Sequence, residues 1–236
     1  MKSTLTTLLL VILIQLNFSQ NFKNFGNEFI FPNLGVRGLN IETGSLPAAI
    51  LIQDMGTLSI QTINLQADTA VELALLMNTN PNYSRFYHRN LIAQLASTRI
   101  VSSTGPIAVR YRTADGAGGG MSSLLPVKEL GYDYTVSTHQ IEYPVFPHSM
   151  LSHIVITATE NNTAITIIPT HNTDNGWLAG SINTINLNRG ESFPIQGIDC
   201  GVFASPTRPA CFPTLQNSLN NLSGTRIFLI LVKKLK

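Results

Sequence analysis

Short runs rich in Ile, Val, Thr and Tyr recur along most of the chain. "AAILIQ", "TLSIQTINL", "AVELALL", "PIAVRYR", "YDYTVST", "HIVITAT", "AITIIP", "INTINL" and "TRIFLIL" are separated by Gly, Asn, Pro and Asp at close intervals. β-branched and aromatic residues favour a pleated, half-buried surface, and the breaks between them are turn formers, so each run predicts a strand. In "NNTAITIIPT", Thr163, Ile165 and Ile167 alternate with Ala164, Thr166 and Ile168, which puts apolar groups on both sides and predicts burial on both faces. "ENN" at Glu160–Asn162 reads as a turn, with Asn able to take positive φ. Thr69 to Asn78 has enough Ala and Leu for a helix, but the segment that matches it further along points to a strand. The pattern is all-β.

That match is part of a longer echo. "TINLQADTAVEL" (Thr62–Leu73) aligns with "TINLNRGESFPI" (Thr184–Ile195), placing Ile63 and Ile185 122 positions apart. "LASTRI" and "LSGTRI" place Arg99 and Arg226 127 positions apart. "ILIQDMGTLSIQTI" also resembles "IVITATENNTAITII" at a shorter offset. A unit of about 100 to 125 residues is the size of one β-sandwich and far longer than a solenoid repeat or a propeller blade. The expectation is two related antiparallel β-sandwich-like units, with one large sandwich or a propeller-like assembly as the alternative. Residues 1–19 read as a signal peptide, 20–49 as an N-terminal strand region, 50–150 as the first unit and 151–236 as the second. The first unit runs through "STRIVSSTGPIAVRYR", a strand, a turn at Thr104-Gly105-Pro106 and another strand. The second reads "GTRIFLILVKKLK", so it is expected to be truncated at its C-terminus, with an unpaired strand edge.

Composition narrows the function classes. Only 12% of residues are charged and the formal net charge is +2, so there is no basic stripe of the kind that nucleic acid requires. "MKSTLTTLLLVILIQLNFSQ" has Lys2, an apolar run from Leu8 to Leu16 and a polar break, with Ser19 expected as the last residue removed. The apolar run is shorter than the roughly 20 residues of a membrane helix, and no membrane span is expected after its removal. Cys200 and Cys211 are the only cysteines. In a secreted chain they are expected to form one disulfide, the alternative being two free thiols. Asn82, Asn161 and Asn221 each open an Asn-X-Ser/Thr triplet and are candidate N-glycosylation sites.

Four stretches in order resemble a known family. "SSLLPVKELGYDYTVST", "SHIVITATENNTAITIIPT", "INLNRGESF" and "LSGTRI" are similar to the N-terminal domain of the IgG Fc-binding protein family. The matching positions are Pro126, Leu130, Gly131 and Tyr134; Ala158, Thr159, Glu160, Asn162 and Thr163; Leu187, Gly190 and Glu191; Leu222, Gly224, Thr225 and Ile227. "GNEFIFPN" resembles the family's opening strand. The resemblance implies a module of a large secreted protein of mucus, matrix or cell surface, with binding as its role. Its turn motifs map no Fc-binding residue, so immunoglobulin binding does not follow.

Catalytic chemistry finds little support in the spacing. His139, His148 and His153, with Glu142 nearby, match no short ligand motif, and a metal-dependent hydrolase is the minority reading. "TADGAGGGMSS" lacks the Lys and Ser/Thr of a phosphate loop and reads as a flexible surface loop. Arg99 and Arg226 are expected to anchor the repeat structurally. No metal ligand or cofactor is assigned. The expected function is non-enzymatic binding or adhesion to an extracellular protein or glycan ligand. Tyr83, Phe86 and Tyr87, clustered in one loop, and Asp115 in the glycine-rich one, are the candidate contacts. A purely structural module of a larger protein is the alternative.

Overall fold

The computed structural model describes residues 24–33, 36–74, 94–115, 118–138, 152–197 and 221–229. Fifteen strands lie among them. The first nine are β1 (Glu28–Pro32), β2 (Val36–Thr43), β3 (Ala48–Asp54), β4 (Ile60–Leu65), β5 (Ala70–Ala74), β6 (Gln94–Leu95), β7 (Ser97–Ser102), β8 (Ile107–Asp115) and β9 (Gly118–Ser123). A 3-10 turn at Val127–Glu129 leads to β10 (Asp133–Thr135), β11 (His153–Thr157), β12 (Thr163–Ile168), β13 (Asn183–Leu187), β14 (Glu191–Gln196) and β15 (Arg226–Leu229).

They form four antiparallel sheets, ordered β1-β7-β3-β4, β5-β2-β8-β9, β10-β15-β12-β13 and β11-β14-β6. The first two close on one core. Alternation selects Phe29 and Phe31 from β1, Ile50 and Ile52 from β3 and Ile100 from β7, which meet Leu39 and Ile41 from β2 and Ile107 and Val109 from β8. The other two sheets enclose a second core built on Ile154, Ile165, Ile167, Leu187, Ile195, Leu222 and Ile227. Ile165, Thr166 and Ile167 are buried in succession, as the two-faced apolar pattern of that strand requires.

The halves share one strand plan. Ile50 pairs with Ile63 in β3 and β4 as Ile165 pairs with Ile185 in β12 and β13. Ile52 pairs with Ile100 as Ile167 pairs with Ile227, and Phe29 with Ile100 as Tyr134 with Ile227. Asp68 (φ 53°) and Gly190 (φ 83°), aligned by the "TINL" match, both take left-handed backbone at the turn before β5 and β14. Asn162 likewise has φ 55°, in the turn expected at "ENN".

Two expectations are corrected. The likeness between "ILIQDMGTLSIQTI" and "IVITATENNTAITII" does not join equivalent strands: β3 and β4 are hairpin partners, whereas β11 and β12 lie in different sheets. By register, β12 is the counterpart of β3, and β11 that of β2. The glycine-rich segment is not a loop. Asp115 ends β8 opposite Gly118, and Gly119 and Gly120 pair with Ala114 and Thr113 as the sheet's outer strand, where backbone bonding makes up for the missing side chains.

A candidate binding groove where the halves meet

The halves are joined by polar contacts around β1 and β14. The Glu28 carboxylate accepts from Arg99 Nε at 2.6 Å and also from Arg189 Nη2. The buried Ser97 hydroxyl donates to Gly190 O at 2.7 Å. Glu191 and Ser192 of β14 pair with Leu95 and Gln94 of β6, so a segment of the first half extends a sheet of the second. The expected structural role of the two arginines is visible: Arg99 reaches Glu28, and Arg226 reaches Asp133 Oδ2 at 2.9 Å, each on the neighbouring strand two positions from its register partner.

Beside this junction lies an apolar groove of about 410 Å³. β11 forms one wall through Ile154 and Ile156. β10 and β15 form the opposite wall through Tyr134, Ile227 and Leu229, and Ile30 and Pro32 of β1 make the far lip. The local sequence explains the shape. Pro126 packs so closely on Gly26 that a Cβ there would lie 2.4 Å from its ring, which fixes the turn ahead of β10. Tyr134 folds back to donate its hydroxyl to Gly131 O at 2.8 Å, and burial pushes its phenol above the usual tyrosine value. In "LSGTRI", Leu222 is fully buried, and Gly224 at φ 86° donates its N–H to Val136 O at 2.8 Å. That turn delivers β15 to β10.

Sheet order differs between the halves at this point. In the first half β2 pairs with β5 on one side and β8 on the other. Among the described residues β11 pairs only with β14. Ala158 N donates to Glu191 O and Gly197 N to Ser152 O, so even-numbered residues of β11 face β14. Antiparallel alternation then turns the backbone N–H and C=O of Val155 and Thr157 toward the groove side.

Of the candidate site residues, Tyr83, Phe86, Tyr87, Cys200, Cys211 and Asn82 lie outside the described residues, as do His139 and His148. Asp115 stands at the β8–β9 hairpin, away from the groove lining. Asn161 is exposed in the turn before β12. Asn221 is half-buried, its Oδ1 accepting from Thr138 Oγ1 at 2.6 Å and from Ser223 Oγ at 2.8 Å. No group of three His, Cys, Asp or Glu side chains lies together among the described residues. No helix among them is long and apolar enough to cross a membrane. Sequence reasoning missed the groove; its one local signal was the aromatic pair of "GYDYTVST".

No curated protein and no solved structure matches the chain. A family model described as IgGFc binding protein matches residues 120–229, which span the second half and every strand forming the groove except β1. Over that segment the chain is similar to the IgGFc binding protein family.

Proposed function

We propose that the chain is a secreted, non-enzymatic binding module that recognises an extracellular protein or glycoconjugate, built from two related sandwich units. The family match over residues 120–229 carries this reading. The shared strand plan supports the repeat, and the apolar groove suits a polypeptide ligand better than a sugar, because its lining offers aliphatic and aromatic side chains rather than a ring of hydrogen-bonding groups. Secretion carries with it a Cys200–Cys211 disulfide and glycans on Asn82, Asn161 and Asn221.

Expression of the full chain in secretory cells tests it. The expected product leaves the cell without residues 1–19, carries a glycan on exposed Asn161 more fully than on hydrogen-bonded Asn221, and binds an immobilised IgG Fc fragment or a purified mucin glycoprotein in surface plasmon resonance. Retention in the cell with its leader intact and no glycan, together with binding to neither protein, overturns the reading.

A further inference from the structure

Residues 169–182 join β12 to β13, where residues 55–59 suffice between β3 and β4. At the bend of this longer loop stands Asn175–Gly176, the chain's one Asn-Gly pair. Thr173 and Trp177 close the bend: Thr173 N donates to Trp177 O at 2.9 Å, and Trp177 N to Thr173 Oγ1 at 3.2 Å. Gly176 takes φ 81°, and nothing lies within 4 Å of the position a Cβ would occupy there. The hydroxyl of buried Thr173 donates to Asn175 Oδ1. Asn175 Nδ2 is buried and has no hydrogen-bond partner among the described residues. Trp177, the only tryptophan in the chain, stacks on Phe193 with ring centroids 5.8 Å apart and packs on the second core.

We propose that Asn175–Gly176 is a self-modification site, at which the folded chain converts the Asn175 amide to a succinimide and then to an aspartyl or isoaspartyl residue. The Gly176 nitrogen loses its proton to hydroxide and attacks Asn175 Cγ. The N–Cγ bond forms, the Cγ–Nδ2 bond breaks, and Nδ2 leaves as ammonia after taking a proton from water, which restores the hydroxide. A second water then opens the ring at either carbonyl. Each group is disposed for its part. The bare Cα of Gly176 and the open space beside it let the ring close without a clash. The Thr173 hydroxyl already sits on Asn175 Oδ1, the atom that becomes the oxyanion, and the Trp177 N–H on that hydroxyl strengthens it as a donor. The departing nitrogen gives up no hydrogen bond. Gly176 N–H is held by Thr173 O at 2.9 Å, so that bond opens before ring closure and makes the reaction a slow one. An isoaspartyl residue adds a methylene to the main chain between Thr173 and Trp177. Their paired bonds cannot then both be kept, and Trp177 is drawn off Phe193. The modification acts as a timer on this loop, which also carries exposed Leu178 and Ile182. It is independent of what the module binds.

The test incubates the purified full chain at mildly alkaline pH. Mass spectrometry follows the peptide that contains Asn175, isoaspartyl methyltransferase labelling detects the rearranged product, and emission reports on Trp177. Conversion at Asn175 well ahead of every other asparagine is expected, with a red shift of the emission growing in step. Asn175→Gln, whose longer side chain would have to close a larger ring, should stay unconverted and keep the original emission. Thr173→Val should convert about tenfold more slowly, the worth of one hydrogen bond to the developing oxyanion, and Thr173→Ser should restore the wild-type rate. Conversion no faster at Asn175 than at other asparagines, or seen only in the urea-unfolded chain, overturns the site. An emission shift that Asn175→Gln shows equally, or conversion with no shift, overturns the timer. Thr173→Val as fast as wild type overturns the part given to the hydroxyl. The wild-type and Asn175→Gln measurements decide the site even where Thr173→Val fails to fold.

Discussion

Among the described residues the two halves differ in the sheet that faces the four-stranded one, although β1-β7-β3-β4 and β10-β15-β12-β13 run in the same order with matching registers. The difference lies in the facing sheet, where β2 has a strand on each side and β11 has one only on its β14 side among the described residues. One shared plan thus encloses a core in each half, with different exposure at equivalent positions. Hydrophobic residues at equivalent positions have different tasks, and substitution separates them. Phe29→Ala should cost about 3–5 kcal/mol, because a fully buried ring leaves a cavity that the surrounding sheets cannot close. Tyr134→Ala, at the equivalent place in the second half, should cost only about 1 kcal/mol, since much of that ring already meets water. Urea unfolding of the two variants checks this. Equal losses would mean that the second half is as well covered as the first.

The same contrast governs the ion pairs. Glu28 joins Arg99 and Arg189, with side chains about one-third exposed or less, and so ties the two halves together. Among the described residues Asp133 meets Arg226 alone, and both side chains are more than half exposed. Glu28→Gln should therefore cost about 1–2 kcal/mol, by weakening two charge-assisted bonds. Asp133→Asn should cost about 0.5 kcal/mol or less, because solvent screens an exposed pair. A double-mutant cycle of Glu28→Gln with Arg189→Gln measures how much of the first loss belongs to the junction.

How much of this was legible depended on whether the deciding interaction was local. β4 and β13 could be read from "TINL", and the turn at Asn162 from its residue type, because strand propensity and turn chemistry act within a few residues. The equivalence of Asp68 and Gly190 could also be aligned, although only the structure shows that both take left-handed backbone. The false match between "ILIQDMGTLSIQTI" and "IVITATENNTAITII" arose because a hairpin and a crossover between sheets both read as strand, turn, strand; what separates them is a distant partner. β9 was missed for the opposite reason. Gly118, Gly119 and Gly120 have no strand propensity of their own and are ordered by the backbone of β8. The groove was least legible. It depends on how strands distant in sequence are ordered into sheets, and Val155 within "HIVITAT" looks like any other strand residue until that order is known.

Tyr134 gives the smallest and most specific comparison. Its counterpart Phe29 does not ionise, so only the second half couples this position to pH. Burial raises the Tyr134 pKa above the usual tyrosine value of 10.0, which means that the folded protein disfavours the phenolate. The stability from its neutral form is therefore complete below pH 10.0 and is lost as pH rises through the higher folded value. Wild type should lose slightly more stability than Tyr134→Phe over that alkaline interval, as measured by urea midpoints, and an ultraviolet titration should show one late-ionising tyrosine that the variant lacks.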